Sequence, residues 1–216
     1  MFTIRQAALV CLLSAGAFAQ GGALGIFTQS ADVGGPAIHG SAEFANGQYK
    51  ITGAGANMWA RQDQFHYVWR EVPGNFTATA TVKFLGEGNE HRKAGIVIRQ
   101  TLDTAAPYAN VAIHGNGMPG LQWRSRKGED TNTFDLPFDG PGTFQVKLVR
   151  TGIRIFMYLA TNGGELKEIA HTEVSFRDPV LVGLAVCSHQ ADASDTVVFS
   201  DVSVQAQSAP ATKKAE

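Results

Sequence analysis

The chain has 216 residues, 44% of them hydrophobic and 17% charged, with a formal net charge of -1. That composition suits one folded domain with a sizeable core and argues against a disordered chain. The near-neutral balance offers no electrostatic case for capturing nucleic acid or an anionic membrane surface.

From the N-terminus, residues 1–19 read as a signal peptide. Arg5 supplies the positive region, Ala7 to Ala17 form a short apolar run, and Ala17-Phe18-Ala19 fits a small-x-small cleavage site before Gln20 or Gly21. The run is shorter than the roughly 20 residues a spanning helix needs, so no membrane span is expected in the mature chain. The chain is therefore predicted to be exported, to the periplasm or beyond. Cys11 raises lipidation, but Val10 is bulky for the position before a lipidated cysteine. Cleavage removes Cys11 and leaves Cys187, so no disulfide can form within the mature chain. Cys187 lies in VLVGLAVCSH, where a small buried hydrophobe is the expected role.

The remainder reads as strands. QYKITG comes first. A short helical turn is predicted near Gln62 to Phe65, and FHYVWREV follows as a strand. In NFTATATVKFL, Phe76, Ala78, Ala80, Val82 and Phe84 alternate with polar residues, the period of two of a half-buried strand. AGIVIRQTL, YANVAIHG and GLQWRSR come next. FQVKLVR and IRIFMYLA then form a hairpin about Thr151-Gly152, with Phe144, Val146, Leu148, Ile153, Ile155, Met157 and Leu159 on one face. LKEIAHTEV, VLVGLAVCSH and TVVFSDVSV complete the set. Gly, Pro, Asn and Asp clusters such as GEGNEHRK and HGNGMPG separate these runs and mark turns. Many short strands without crossover helices predict an all-β, two-sheet antiparallel sandwich over residues 20–205. Residues 206–216 are small, polar and charged, and read as a disordered tail.

The landmarks DVGGPAIHGSAEFANGQYKITGAGANMW, KAGIVIRQ, GLQWRSR, VGLAVCSH and VVFSDVSV, in that order, resemble the concanavalin A-like and laminin G-like jelly-roll domains of secreted bacterial proteins. That group is related to the "regulation of enolase" domains and has no assigned activity. The resemblance spans about Asp32 to Val204. It implies two antiparallel sheets, one concave, with the first and last strands adjacent. It does not by itself imply a function.

The candidate chemistry is a binding face. Trp59 and Trp123 offer flat rings for sugar faces, and Asp63, His66, Arg99, Gln122, Arg124 and His189 could converge in a concave groove. In FHYVWREV the aromatic set Phe65, Tyr67 and Trp69 is the natural core face, which sends His66 and Arg70 outward. The competing reading is structural: Arg99 pairs with a buried carboxylate and His189 ends a strand. The six histidines lack transition-metal spacing. No cofactor is expected, although calcium stays open through Asp32, Asn57, Asp63, Asp192, Asp195 or Asp201. No strand presents the paired carboxylates of a jelly-roll glycosidase. The leading expectation is non-catalytic binding of a polysaccharide or cell-surface partner. The alternatives are a carbohydrate-active enzyme with a dispersed His/Asp/Arg site, and a structural envelope protein.

Overall fold

The computed structural model describes residues 24–137 and 140–207. The signal segment, Cys11 and the tail from residue 208 lie outside the described residues. Sixteen strands account for the regular structure, and no helix occurs among the described residues.

The first sheet has seven strands. In spatial order they are β1 (Gln29–Val33), β6 (Phe65–Val72), β15 (Val180–Cys187), β8 (Lys93–Arg99), β9 (Tyr108–His114), β10 (Pro119–Arg124) and β11 (Asn132–Asp135). The second sheet runs β14 (Lys167–Glu173), β13 (Arg154–Thr161), β12 (Phe144–Thr151), β7 (Phe76–Leu85), β16 (Gln190–Ala206), β3 (Gln48–Gly55) and β2 (Ser41–Ala45). All pairings are antiparallel. A two-strand hairpin, β4 (Met58–Trp59) with β5 (Gln62–Asp63), stands apart from both sheets. It occupies the place of the predicted helical turn: Gln62 and Asp63 pair back onto Trp59 and Met58 as strand. The first and last strands are not neighbours either. β1 pairs with β6, whereas β16 sits between β7 and β3 in the other sheet.

The period-two patterns place the core. Phe76, Ala78, Ala80 and Val82 of β7 are buried, and Ala78, Ala80 and Val82 lie in register beside Leu148, Val146 and Phe144 of β12. Ile155 and Met157 of β13 continue the layer, but Ile153 is at the turn and 50% exposed. The first sheet answers with Ile96, Ile98, Val111, Ile113, Leu121 and Leu184. Each such side chain contributes about 1.5–3 kcal/mol when buried.

The first sheet is buried on its outer face as well. Every residue of β8 and β9 is buried. A second apolar cluster, Val33, Met58, Phe65, Tyr67, Trp69, Val97, Ala185 and Cys187, lies on that side. This corrects the parity expected for β6. The aromatic set is buried, but it faces away from the second sheet. Val68 and Val72 face the inter-sheet core, and Arg70 on the same side donates to the Val204 carbonyl of β16 at 2.5 Å.

Candidate functional site

Alternation and register build the outer face of the first sheet. Lys93, Val97 and Arg99 of β8 lie opposite His114, Asn110 and Tyr108 of β9, and Asn110 and Tyr108 lie opposite Gln122 and Arg124 of β10. The polar residues therefore fall at two ends of one face, and the β4–β5 hairpin lies across it.

At one end, Asp63 of the hairpin is clamped by two guanidinium groups. Arg99 Nη1 donates to Asp63 Oδ2 at 2.7 Å. Arg124 donates through Nη1 to Oδ2 and through Nη2 to Oδ1, both at 2.9 Å. The remaining donors go to backbone carbonyls: Arg99 to Thr101 and Asp103, Arg124 to Ala60, Ala106 and Glu129. Both guanidiniums lie near the Tyr108 ring, at 5.7 and 5.0 Å from its centroid. The side chains of all three ionised residues are inaccessible to solvent. Asp63, Arg99 and Arg124 thus do converge, but as a sealed fastening for the hairpin, with no surface for a ligand.

At the other end a cleft of about 200 Å³ is open to solvent, lined by Asn57, Trp59, His91, Lys93, His114, Met118, Gln122, Asp135 and His189. Trp59, half-buried on the hairpin, forms part of its wall. Gln122 Oε1 and His189 Nδ1 are buried without a hydrogen-bond partner. His189 has a φ of 58°, a left-handed backbone uncommon outside glycine. The His91 ring centroid lies 6.3 Å from that of His114 and 5.5 Å from that of His189.

Three of the expected groups, Trp59, Gln122 and His189, meet in this cleft. Two others do not reach the outer face at all. His66 sits on the same side of β6 as Val68 and Arg70, where its Nδ1 meets Asp32 Oδ1 at 2.7 Å and its Nε2 meets Ser30 Oγ at 2.9 Å. Trp123 points with Leu121 toward the inter-sheet core and packs against it. Five of the six oxygen ligands offered for calcium are engaged elsewhere: Asp32 by His66 and His39, Asp63 by two arginines, Asp195 by Arg92, Asp201 by Thr81, and Asn57 by Lys93, while Asp192 is exposed. Among the described residues no group of three His, Cys, Asp or Glu side chains is placed to hold a metal.

Lys93, His114 and Asp135 were not singled out from the sequence. A signal was there. Lys93-x-x-x-x-x-Arg99 and Asn110-x-x-x-His114 keep even spacing, so each pair shares a strand face. His114 Nδ1 lies 2.9 Å from the Met118 carbonyl. A carbonyl can only accept, so Nδ1 carries the proton and Nε2 is left as an acceptor. Burial first, and the Lys93 ammonium second, push the His114 pKa down to about 4. Burial, Lys93 and His91 lower that of His189 as well. Cys187 beneath the hairpin donates to the Gly55 carbonyl, and burial pushes its thiol up to about 11, which removes it as a nucleophile.

The low His114 pKa has a consequence for stability. The unfolded chain takes up a proton near pH 6.5 and the folded chain only near 4, so stability falls as pH drops through that window. The loss from His114 is on the order of 2–3 kcal/mol. Denaturant midpoints measured across the window should fall for the wild type and fall less for His114→Gln. Equal slopes for the two proteins would refute the assignment.

No protein-family model matches the chain, and no curated protein matches it in sequence. Solved structures do match in shape. A functionally unknown protein from Saccharomyces cerevisiae aligns with a TM-score of 0.65 at 17% identity, covering 84% of this chain and 98% of that one. The carbohydrate-binding module CBM66 from Bacillus subtilis aligns at 0.53 and 16% identity, with the same coverages of 84% and 98%. The GH43 protein BlXynB from Bacillus licheniformis, as a K247S mutant, aligns at 0.57 and 13% identity over 76% of this chain but only 34% of its own length. At such identities the likeness shows the fold: a concanavalin A-like jelly-roll sandwich.

Proposed function

We propose that this chain is an exported module that binds carbohydrate, without cleaving it, in the cleft between Trp59, His114, Gln122 and His189. The observation that carries the reading is the pair of buried, partnerless acceptor and ring-nitrogen sites, Gln122 Oε1 and His189 Nδ1, in a solvent-open cleft beside an indole. Sugars offer what these groups lack: hydroxyls that donate and accept, and apolar ring faces that stack on an aromatic. The likeness to a carbohydrate-binding module supports the reading at the level of fold. The segment 1–19 supports export.

Hydrolysis is less well served by this geometry. No cleft histidine is hydrogen-bonded to a carboxylate among the described residues, and His91 approaches Glu90 only at 3.6 Å. The His66–Asp32 contact, which has the right chemistry, lies between the sheets. A purely structural role leaves the partnerless polar groups of the cleft without a use.

The reading is tested by calorimetric titration of the mature domain with a glycan panel. Trp59→Ala should weaken binding at least about tenfold, near 1.4 kcal/mol, because one stacking face is lost. The melting temperature should stay unchanged, since Trp59 is outside both apolar clusters. Full affinity in Trp59→Ala, or no binding of any glycan by the wild type, would remove the proposal.

A further inference from the structure

Five cations are buried among the described residues: Arg92, Lys93, Arg99, Arg124 and Arg150. Four have a carboxylate. Arg92 pairs with Asp195 at 2.7 Å, Arg99 and Arg124 share Asp63, and Arg150 holds Asp178 at 2.5 Å. Lys93 is the exception. It is 3% exposed, and its ammonium donates to Asn57 Oδ1 at 2.7 Å and, weakly, to the His91 carbonyl at 3.5 Å. Both acceptors are neutral, and no carboxylate forms an ion pair with it among the described residues. An ammonium has three donors, so one remains. Burying a cation without a counter-charge is costly, and folds normally provide the partner themselves.

The surroundings of Lys93 supply only a distant counter-charge. Asp135, the acid in the cleft, attracts the ammonium without pairing with it. It sits exposed on the edge strand β11 and accepts the Thr133 hydroxyl at 2.6 Å. His114 presents an acceptor at Nε2, and the buried His189 Nδ1 and Gln122 Oε1 have no hydrogen-bond partner. One unspent cationic donor thus adjoins three neutral polar positions, in a space the size of a sugar ring or two.

We infer that the cleft selects an acidic sugar, whose carboxylate or sulfate ester rests on Lys93 Nζ while its hydroxyls meet Gln122, His114 and His189. The inference rests on the carbohydrate reading above and adds the ligand's charge to it. The ligand brings the counter-ion that the other buried cations find within the chain.

The test is titration of the mature domain with neutral oligosaccharides of galacto, gluco and manno configuration, and with their uronate and sulfated counterparts. At least one acidic member should bind about tenfold or more tighter than its neutral counterpart, with the preference shrinking as salt is added. Which acid wins separates uronate from sulfate. Lys93→Met should lose the preference, binding the acidic sugar no more tightly than its neutral counterpart. It should melt no lower than the wild type, because an unpaired buried charge is replaced by an apolar chain of similar length. Lys93→Gln gives the same comparison with a polar residue. Equal binding of acidic and neutral sugars overturns the inference and leaves the carbohydrate reading standing. Preference surviving in both variants places the recognition elsewhere and also overturns it. Failure of every sugar to bind overturns both.

Discussion

Asp63→Asn is expected to destabilise the domain by about 3–5 kcal/mol, the usual cost of removing one partner from a buried ionic cluster. The wild-type arrangement already holds two guanidiniums against one carboxylate, with the side chains of all three shut off from solvent. Their further hydrogen bonds go to carbonyls of Ala60, Thr101, Asp103, Ala106 and Glu129, which spread the residual positive charge over backbone dipoles. An asparagine keeps the shape but supplies no charge, and its amide hydrogens point donors at donors. Two cations are then left uncompensated. Urea unfolding reads the loss directly. Arg61→Ala is the internal control: Arg61 and Asp130 form the same chemical pair on the surface, both largely exposed, and little change is expected there. A loss below about 1 kcal/mol for Asp63→Asn would mean that the carbonyls alone satisfy the arginines.

The same substitution reaches the cleft. Asp63 is the last residue of the β4–β5 hairpin and pairs with Met58, while Trp59 pairs with Gln62. Freeing Asp63 from the sheet loosens the element that carries Trp59 and follows directly on Asn57. Glycan affinity should therefore fall in Asp63→Asn even below its melting temperature, although Asp63 touches no ligand. It acts as a positioning residue.

The sequence made some of this legible and hid the rest for physical reasons. Strands β7 and β12 face the partner sheet on one side and solvent on the other, so their apolar and polar residues alternate and their core faces could be read. Strand β6 offers no such contrast. Its residues from Phe65 to Trp69 are all buried, and choosing the side with more aromatic mass sent His66 and Arg70 the wrong way. Which face met the second sheet was decided by the hairpin, whose Met58 packs with Phe65, Tyr67 and Trp69 on the outer face. Trp123 failed for the matching reason, since its ring fills space at the margin of the inter-sheet core. Arg99 and Arg124 were correctly placed on one face, and a structural carboxylate was the competing reading for Arg99. The partner, Asp63, lay in a segment expected to be helical. The cleft itself was half visible. Trp59, Gln122 and His189 could be nominated as polar or aromatic interruptions, but Lys93 opens an apolar strand and looked like its end.

Gly183→Ala should also cost about 2–3 kcal/mol, through backbone geometry with no change of charge or polarity. Gly183 is at the middle of β15, in register with Trp69 of β6 on one side and Val97 of β8 on the other. A methyl built there would fall 1.9 Å from the Val68 carbonyl oxygen and 2.7 Å from the Trp69 Cα. These are backbone atoms of a paired strand, so no side chain can swing aside, and β6 itself must move. Moving β6 strains the contacts that pass over β15. The Tyr67 hydroxyl crosses it to donate to the Val97 carbonyl at 3.0 Å, and Tyr67 stacks on Trp69 with centroids 5.1 Å apart. Small residues, Gly183 and Ala185, give that aromatic layer its floor. Gly95 makes the equivalent approach on β8, where a methyl would meet the Val111 carbonyl oxygen at 1.8 Å. The two substitutions act on different strand pairs, β15–β6 and β8–β9. β15 and β8 are nonetheless paired neighbours, with Gly95 opposite Ala185, so the two backbone shifts should couple and the double variant should depart from the sum of the single losses in denaturant unfolding. A Gly183→Ala protein of wild-type stability would show that β6 can shift freely. The outer face, and the hairpin seated on it, would then be far less rigid than the cleft's partnerless acceptors require.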